Sequence, residues 1–318
     1  MIRLFYVALF ISCLIPGIGH SQGKYDRIDQ VVAQLGAMPD KNVATIADTI
    51  SRKFSDKQDK ARAFYYWIAN NIALDGKAIR SNDQKKINPE QVVMNRKTTS
   101  LGFAKLFQEM CSMGNIRCLV VDGYVKHSTE DINNRADEPN HSWNVVQLGK
   151  SPEEWYYVDV ARGSGFLDKK QLQFTPSFVS GYFFPEKTLF NLDHFPDNEA
   201  WLLGAGPKGL KDFYALPVIG RGAYGLGLFK PNPVTGVIHT SIRNPVQFSF
   251  QFNGNEPIQS IELLIGEGNK QLKPAPMNFS NSGGSVNFSY QFKREDSYPV
   301  RIVVDGRDVL SYIVEATE

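Results

Sequence analysis

The sequence predicts an α+β domain followed by an antiparallel β-sandwich. Helical patterns dominate the first third of the chain, a helix and several strand-like runs follow in the middle, and short β-type runs fill about the last 80 residues. With 318 residues, of which 42% are hydrophobic, the chain can bury one core in each of two domains.

Residues 1–21 have the pattern of an export signal. Arg3 gives a basic start, residues 4–18 are apolar, and small residues precede a cleavage site before Gln22. A membrane anchor is the alternative, but the apolar run is shorter than the roughly 20 residues that span a bilayer. Lipid attachment at Cys13 is a further alternative, although apolar residues follow it where a polar mature start is expected. We therefore expect an extracytoplasmic protein, periplasmic or secreted, without a membrane span after cleavage.

Helical spacing then extends from Tyr25 to Gly76. In "SDKQDKARAFYYWIANNIALDG", Ser55 is placed to cap a helix, and apolar residues recur at i, i+3 and i+4. The polar residues 77–86 predict an exposed loop, and "INPEQVVMNR" predicts a short helix. The apolar positions that form one buried helix face are Ala61, Phe64, Tyr65, Ile68 and Ile72.

A second amphipathic helix begins near Ser100 in "SLGFAKLFQEM" and ends at Gly114. "IRCLVVDGYV" predicts a buried strand, and "HSWNVVQL" and "EWYYVDVA", joined by the turn-rich "GKSPE", predict an antiparallel hairpin. The aromatic segment "YFFPEKTLFNLDHFPDNEAWLL" has no clear period. We expect this segment to wrap the surface of the first domain.

The composition changes after "FKPNPVTG". From about Val237 the runs "VIHTSI", "VQFSFQF", "SIELLIG", "SVNFSYQF", "YPVRIVVDG" and "DVLSYIVEA" follow one another with turn signals between them. Strands spaced by about 10 residues predict an antiparallel sandwich of the immunoglobulin-like kind. The predicted domains are therefore residues 22–230 and residues 231–318.

Composition also limits the partners. The 35 Lys+Arg and 33 Asp+Glu leave a net charge of +2, and no basic block with interleaved aromatics favours nucleic acid. "GRGAYGLG" lacks the preceding strand and the lysine of a phosphate-binding loop. His127 and His239 have no second ligand at a useful spacing, so we predict neither a cofactor nor a metal.

Three polar residues stand where the predicted elements meet. Ser100 lies at a helix start, His141 heads one hairpin strand, and Asp159 lies on the partner strand. Adjacent antiparallel strands are about 5 Å apart, so His141 and Asp159 can become neighbours. The carboxylate would orient the imidazole and leave its other nitrogen facing the helix start. Taken singly, the three residues are also typical of a helix cap, a structural histidine and a strand-end carboxylate.

In their order, "SLGFAKLF", "GNIRCLVVDGYVK", "HSWNVVQL" and "WYYVDV" resemble the transglutaminase-like superfamily, whose fold is papain-like. "KARAFYYWIANNIALDG" resembles the helix before the site, and the aromatic segment is similar to the kyphoscoliosis-peptidase-like branch. The resemblance covers roughly residues 55–230. It implies that His141 and Asp159 are catalytic positions and that Ser100 stands where the family has a nucleophilic cysteine.

The serine at position 100 changes the expected activity but not the expected fold. A thiol at a helix start beside a histidine can ionise at neutral pH, whereas a serine hydroxyl needs a general base during attack. Cys111 cannot replace it, because it lies about 16 Å further along the same helix. Cys111 and Cys118 are open to two interpretations, a disulfide in an oxidising compartment or two buried thiols.

Three functions follow from these observations. The first is a catalytically impaired homologue, a pseudoenzyme whose cleft binds a peptide, a protein or a cell-wall glycopeptide. The second is an enzyme that uses Ser100, His141 and Asp159 as an amidase, esterase or peptidase acting by acyl transfer. The third is a structural protein whose two domains serve assembly.

Overall fold

The computed structural model describes residues 23–81, 87–151, 154–168, 172–253, 257–266 and 273–318. The predicted export signal and Cys13 lie outside these residues. Within the described ranges, no helix is both long and apolar enough to cross a membrane.

Helices dominate the first part of the chain and strands the last part. The helices are α1 (Asp26–Leu35), α2 (Val43–Ser51), α3 (Lys57–Asn71), α4 (Gly76–Ser81), α5 (Pro89–Asn95), α6 (Ser100–Met113), α7 (Val160–Ser164), α8 (Lys187–Asp193), α9 (Leu210–Tyr214) and α10 (Arg221–Leu226). The first nine strands are β1 (Ala73–Leu74), β2 (Lys97–Thr98), β3 (Arg117–Val125), β4 (His141–Gln147), β5 (Trp155–Val158), β6 (Gly165–Leu167), β7 (Phe174–Pro176), β8 (His194–Pro196) and β9 (Val218–Ile219). The remaining strands are β10 (Leu228–Asn232), β11 (Val237–Ser241), β12 (Val246–Phe252), β13 (Ile261–Ile265), β14 (Lys273–Pro276), β15 (Ser280–Ser282), β16 (Ser285–Tyr290), β17 (Asp296–Val304) and β18 (Arg307–Thr317).

The caps of α3 and α4 correct two predictions. Asp56, not Ser55, caps α3, because its carboxylate accepts the backbone N–H groups of Gln58 and Asp59. Asp75 accepts backbone N–H groups in the same way at the start of α4. The first part of the predicted loop at 77–86 is therefore helical, and residues 82–86 lie outside the described part of the chain.

Helix α6 is the centre of the first domain. It packs against β3 and β4 on one side and against α2 and α3 on the other. The predicted start at Ser100 and end at Gly114 are both confirmed. Its buried residues are Gly102, Phe103, Ala104, Leu106, Phe107, Met110 and Cys111.

The strands beside α6 form a four-stranded sheet in the order β5, β4, β3, β8. The predicted hairpin is confirmed, since β4 and β5 pair antiparallel with Asn144 opposite Val158. Strand β8, at the edge of this sheet, was not predicted. The aromatic segment does not wrap the surface, because it supplies α8 and β8, and β8 pairs with the end of β3. Elements of seven and three residues are too short to show a period in the sequence.

The C-terminal strands form two facing sheets. One has the order β10, β12, β16, β15, and the other has the order β11, β18, β17, β13, β14. Side chains alternate between buried and exposed along β12, and the rings of Phe248 and Tyr312 meet between the sheets at 5.7 Å. The predicted sandwich is present, with one departure from an antiparallel pattern, because β11 pairs with β18 in parallel.

The two parts of the chain are joined by strand pairing. β9 pairs with β18, so a strand from the end of the first predicted domain extends a sheet of the sandwich. β10 covers residues on both sides of the predicted boundary at 230/231 and pairs with β12. The boundary itself stays a prediction.

Candidate functional site

Ser100 is the first residue of α6. The N-cap is the preceding Thr99, so Ser100 does not cap the helix. A Cβ atom at Gly102 would collide with the Thr98 side chain, which explains the glycine two residues after the serine. Within the described residues, the Ser100 side chain makes no hydrogen bond. Close packing of the first turn on β2 thus sets the position of Ser100 and leaves its hydroxyl free.

His141 and Asp159 meet as predicted. His141 is the first residue of β4 and lies opposite Gly123 of β3. Asp159 follows the end of β5 instead of lying within it, and its Oδ1 accepts the backbone N–H of Arg162 at 2.9 Å as the N-cap of α7. The other carboxylate oxygen, Oδ2, lies 2.7 Å from Nε2 of His141. A buried charge at a helix start therefore orients the imidazole.

His194 completes this cluster and was not predicted to do so. It is the first residue of β8, is fully buried, and has its Nε2 3.0 Å from the same Oδ2 of Asp159. Its ring stacks on Phe190 with centroids 3.8 Å apart. The one signal for a place in the site was an acidic residue directly before the histidine, in "LDHFP".

The shared acceptor fixes the tautomers of both rings. Because Oδ2 of Asp159 is an acceptor, Nε2 of His141 and Nε2 of His194 must each donate a proton. Nδ1 of His141 is then the nitrogen left for chemistry outside the pair. Burial alone would raise the pKa of Asp159, but His141 and His194 outweigh it and hold that pKa well below its usual range.

A second carboxylate lies behind His194. Asp193 Oδ2 is 3.4 Å from Nδ1 of His194, accepts the Tyr224 hydroxyl at 2.9 Å, and lies 3.4 Å from Nη1 of Arg162. Burial is the largest influence on His194 and lowers its pKa, and the two carboxylates only partly oppose it. The cluster is thus a buried chain of acid and imidazole groups that ends at His141.

We expect the free energy of unfolding to fall as the pH is lowered from about 7 to about 5. The pKa of His194 is lower in the folded protein than its ordinary 6.5, so the unfolded chain takes up that proton first and stability decreases. The pKa of Asp159 is also depressed, and its contribution is lost only below about 3.8. Urea unfolding at several pH values measures the effect, which cannot exceed about 1.4 kcal/mol per pH unit for one group. His194→Gln should reduce this decrease, with the remainder due to His127, whose pKa burial also lowers, and a stability that is flat over this range in the native protein would contradict the assignment.

The described part of the chain also contains a large groove at this site. Its volume is about 2390 Å³, and both Ser100 and His141 line it. Residues of both predicted domains form its walls, including Arg221 in α10 and Arg301 in β17. The Phe and Tyr residues among its described lining are Phe166, Phe178 and Tyr224.

Cys111 and Cys118 are free and buried thiols. Burial raises the pKa of Cys111 well above its usual value, and the neighbouring Cys118 raises it further. Cys111 is therefore a poor nucleophile, and it points into the core of the first domain. The structure thus favours the second of the two interpretations of these cysteines.

One set of described side chains has the composition of a metal site. One ligand atom from each of His141, Asp159 and His194 lies within 4.8 Å of the others. The 2.7 and 3.0 Å separations are those of hydrogen bonds, so each imidazole already has its partner in the carboxylate. Coordination of a metal would require both hydrogen bonds to break.

Ser100 at the start of α6 and His141 at the start of β4 line one groove, and Asp159 is hydrogen-bonded to His141; this is the set of residues that the resemblance to a papain-like fold implies. Residues 44–160 match the model of the transglutaminase-like superfamily. Residues 44–160 therefore form a domain of that superfamily, and the curated relatives support the branch of the kyphoscoliosis peptidases.

Two curated relatives support the assignment to this branch. The kyphoscoliosis peptidase of Mus musculus is 26% identical over 306 residues, which cover 87% of this chain and 46% of that protein. Its Homo sapiens counterpart is 28% identical over 243 residues, covering 73% and 36%. The chain therefore spans less than half the length of either relative. A solved structure of a TGase is 18% identical and covers 53% of this chain and 40% of its own, but its TM-score of 0.29 supports no conclusion.

Proposed function

We propose that this protein is an exported transglutaminase-like protein that binds a peptide or glycopeptide in the groove and has lost thiol-dependent acyl transfer. The observation that carries the proposal is that Ser100, where the family has its cysteine, lines the same groove as His141, which pairs with Asp159. The export signal is a further part of the proposal and rests on residues 1–21 of the sequence.

The chemistry of the serine supports the loss of activity. A cysteine at a helix start beside a histidine is activated because its pKa of about 8.5 can fall by several units. A serine hydroxyl cannot form that resting ion pair and must lose its proton to a base during attack. The Ser100 hydroxyl makes no hydrogen bond to His141 or to any other described residue. Its oxygen also lies nearer the backbone than a sulfur would, and a misplacement of about 1 Å can cost a hundredfold in rate.

The groove supports binding over assembly. A protein with only an assembly role has no need of a cleft at its former nucleophile, and here Ser100 lines a cleft that has polar and apolar walls. Its volume of about 2390 Å³ exceeds the roughly 300–1,000 Å³ of small-molecule sites. An extended chain of several residues fits this space better than a small metabolite.

A serine hydrolase is the second candidate, and one observation favours it. Asp159 is held ionised by two imidazoles and orients His141 with Nδ1 free, which is the state that a general base requires. In this function, His141 would take the Ser100 proton during attack on an amide or ester carbonyl.

Exchange of the nucleophile distinguishes the two candidates. We expect Ser100→Cys to be alkylated by iodoacetamide near pH 6 at least about tenfold faster than a free cysteine, because its thiolate would pair with His141. Cys111 and Cys118 are buried and should stay unlabelled, so native protein serves as the unlabelled control. The measurement is the rate of adduct formation by mass spectrometry, with Ser100→Cys combined with His141→Gln as the control that should lose the acceleration.

Native protein should not react at Ser100 with a fluorophosphonate. Labelling of Ser100 that disappears in His141→Gln would show a working serine nucleophile and would overturn the loss of catalysis.

Binding is measured by fluorescence anisotropy with labelled random hexapeptides. Ser100→Trp should block the groove and abolish binding, whereas Ser112→Trp, on an exposed position of the same helix, should not.

A further inference from the structure

Arg221 is a cation in the groove without an acidic partner. It is the first residue of α10 and is half-buried among the lining residues of the groove. Its Nε and Nη2 donate to the carbonyl oxygen of Arg162 at 3.1 and 2.9 Å, and Nη2 also donates to the carbonyl oxygen of Ser177. Main-chain oxygens therefore fix the guanidinium group in place without neutralising its charge.

The surroundings of Arg221 leave that charge uncompensated. Among the described residues, no carboxylate forms an ion pair with Arg221. Asp159 acts on it electrostatically, but its oxygens are already engaged by two histidines and by the start of α7. Burial lowers the pKa of Arg221, which reflects the cost of removing a cation from water. An anion from outside the chain would offset that cost.

This cation lies close to the candidate active site. The carbonyl oxygen that holds Arg221 belongs to Arg162, whose backbone N–H is bound by Asp159. Arg162 is three positions after Asp159, or about 4.5 Å along the helix axis. A ligand that passes Ser100 and His141 therefore meets Arg221 within a few residues.

An exposed aromatic side chain lies beside the cation. Phe166 is 44% exposed, lines the groove, and has its ring centroid 5.6 Å from the Arg221 guanidinium carbon. Ile79 is 43% exposed and lines the same groove. Large apolar side chains at a polar groove wall provide a contact for an apolar ligand side chain next to a charged one.

Charge is distributed unevenly over the groove. Arg307 of β18 lies against Gly222 and Gly225 of α10, and no described carboxylate pairs with it. The loop before His141 contributes the exposed acids Glu130 and Glu138 to the lining, which also contains Asp168 and Asp308, and Asp308 pairs with Arg301. A ligand with one carboxylate fits this distribution, whereas a polyanion would meet these four acids.

We propose that Arg221, supported by Arg307, forms a carboxylate subsite for the bound peptide, with an apolar side chain of that peptide resting on Phe166. This proposal rests on the peptide-binding function and adds its ligand class. The carboxylate is either the C-terminus of the peptide or an Asp or Glu side chain. The planar guanidinium has two free donors on Nη1, which suits a carboxylate in either position.

Three sets of fluorescein-labelled pentapeptides test the subsite in native protein. Each set is random at three positions and ends in Phe-Ala with a free carboxylate, in Phe-Ala-amide, or in Phe-Asp-amide. We expect anisotropy to show at least about tenfold tighter binding of one carboxylate set than of the Phe-Ala-amide set. The set that binds more tightly distinguishes a C-terminal carboxylate from a side-chain carboxylate.

Variants of the cation are the second arm of the test. Arg221→Gln should remove the preference for carboxylate, Arg221→Lys should retain part of it, and Arg307→Gln should reduce it by about two- to threefold. Arg243→Gln, at an exposed position outside the groove lining, is the matched control and should keep the preference. Thermal unfolding of each variant identifies loss of fold, and the comparison of peptide sets on native protein decides the question even if Arg221→Gln unfolds.

The outcomes separate this proposal from the function on which it rests. Equal binding of all three sets, blocked by Ser100→Trp, would keep the peptide function and overturn the carboxylate subsite. A preference that survives in Arg221→Gln would also overturn it. Absence of binding by every set would overturn the peptide function, and the subsite with it.

Discussion

Asp159→Ala is expected to lower the free energy of unfolding by about 3–5 kcal/mol, because it removes the acceptor of a buried charged cluster. The carboxylate is fully buried and accepts from His141, from His194 and from the backbone N–H of Arg162. Without it, His194 keeps a buried donor with no partner, and α7 loses its cap. Urea unfolding at about pH 7 measures the change.

Asp122→Ala is the matched control. Asp122 accepts the Ser142 hydroxyl at 2.6 Å, but it lies on the exposed side of β3, so we expect a loss of about 1 kcal/mol or less. Similar losses for the two substitutions would mean that the cluster contributes no more than a surface hydrogen bond. That result would contradict the role of Asp159 as the centre of the site.

Trp143→Ala is expected to cost about 3–5 kcal/mol, the range for loss of a large buried aromatic side chain. Trp143 is 1% exposed and contacts the rings of His141, Phe190 and His194, with centroids 6.3, 5.9 and 5.2 Å away. The cavity would lie directly beneath the site. We therefore expect weaker peptide binding as well as lower stability, measured by urea unfolding and by anisotropy.

Trp201→Ala is the control for that substitution. Trp201 is only half-buried, and its ring contacts Trp155, at 5.2 Å. We expect a loss of about 1–2 kcal/mol and unchanged peptide binding, because its ring touches neither histidine of the site. Trp143→Ala could lower stability and yet, like Trp201→Ala, leave peptide binding unchanged. In that case the position of His141 would not depend on Trp143.

The sequence was sufficient to place His141 and Asp159 together. Their contact depends on a short hairpin, and a hairpin carries its own local signals of alternation and turn residues. The start of α6 at Ser100 was predictable for a similar reason, since the helical period begins there. These features depend on residues that are neighbours in sequence, or nearly so.

His194 and Arg221 could not be assigned in this way. β8 has three residues and reaches the site only by pairing with β3, about 70 residues earlier in the chain. Arg221 takes its place from carbonyl oxygens of Arg162 and Ser177, whose positions follow from the packing of α7. Contacts between distant segments leave no period or spacing in the sequence. His194 and Arg221 could therefore be assigned only from the structure.

The pairing of β9 with β18 has a consequence for the order of folding. Ile219 and Leu310 are partners although about 90 residues of chain lie between them, and loops of this length close late. Because α10 follows β9 directly and β18 begins at Arg307, both cations of the groove are brought together by this closure. During synthesis, the helices around α6 can pack before β18 has left the ribosome. The groove cannot form until β18 is present. The groove is therefore complete only after the sandwich has folded.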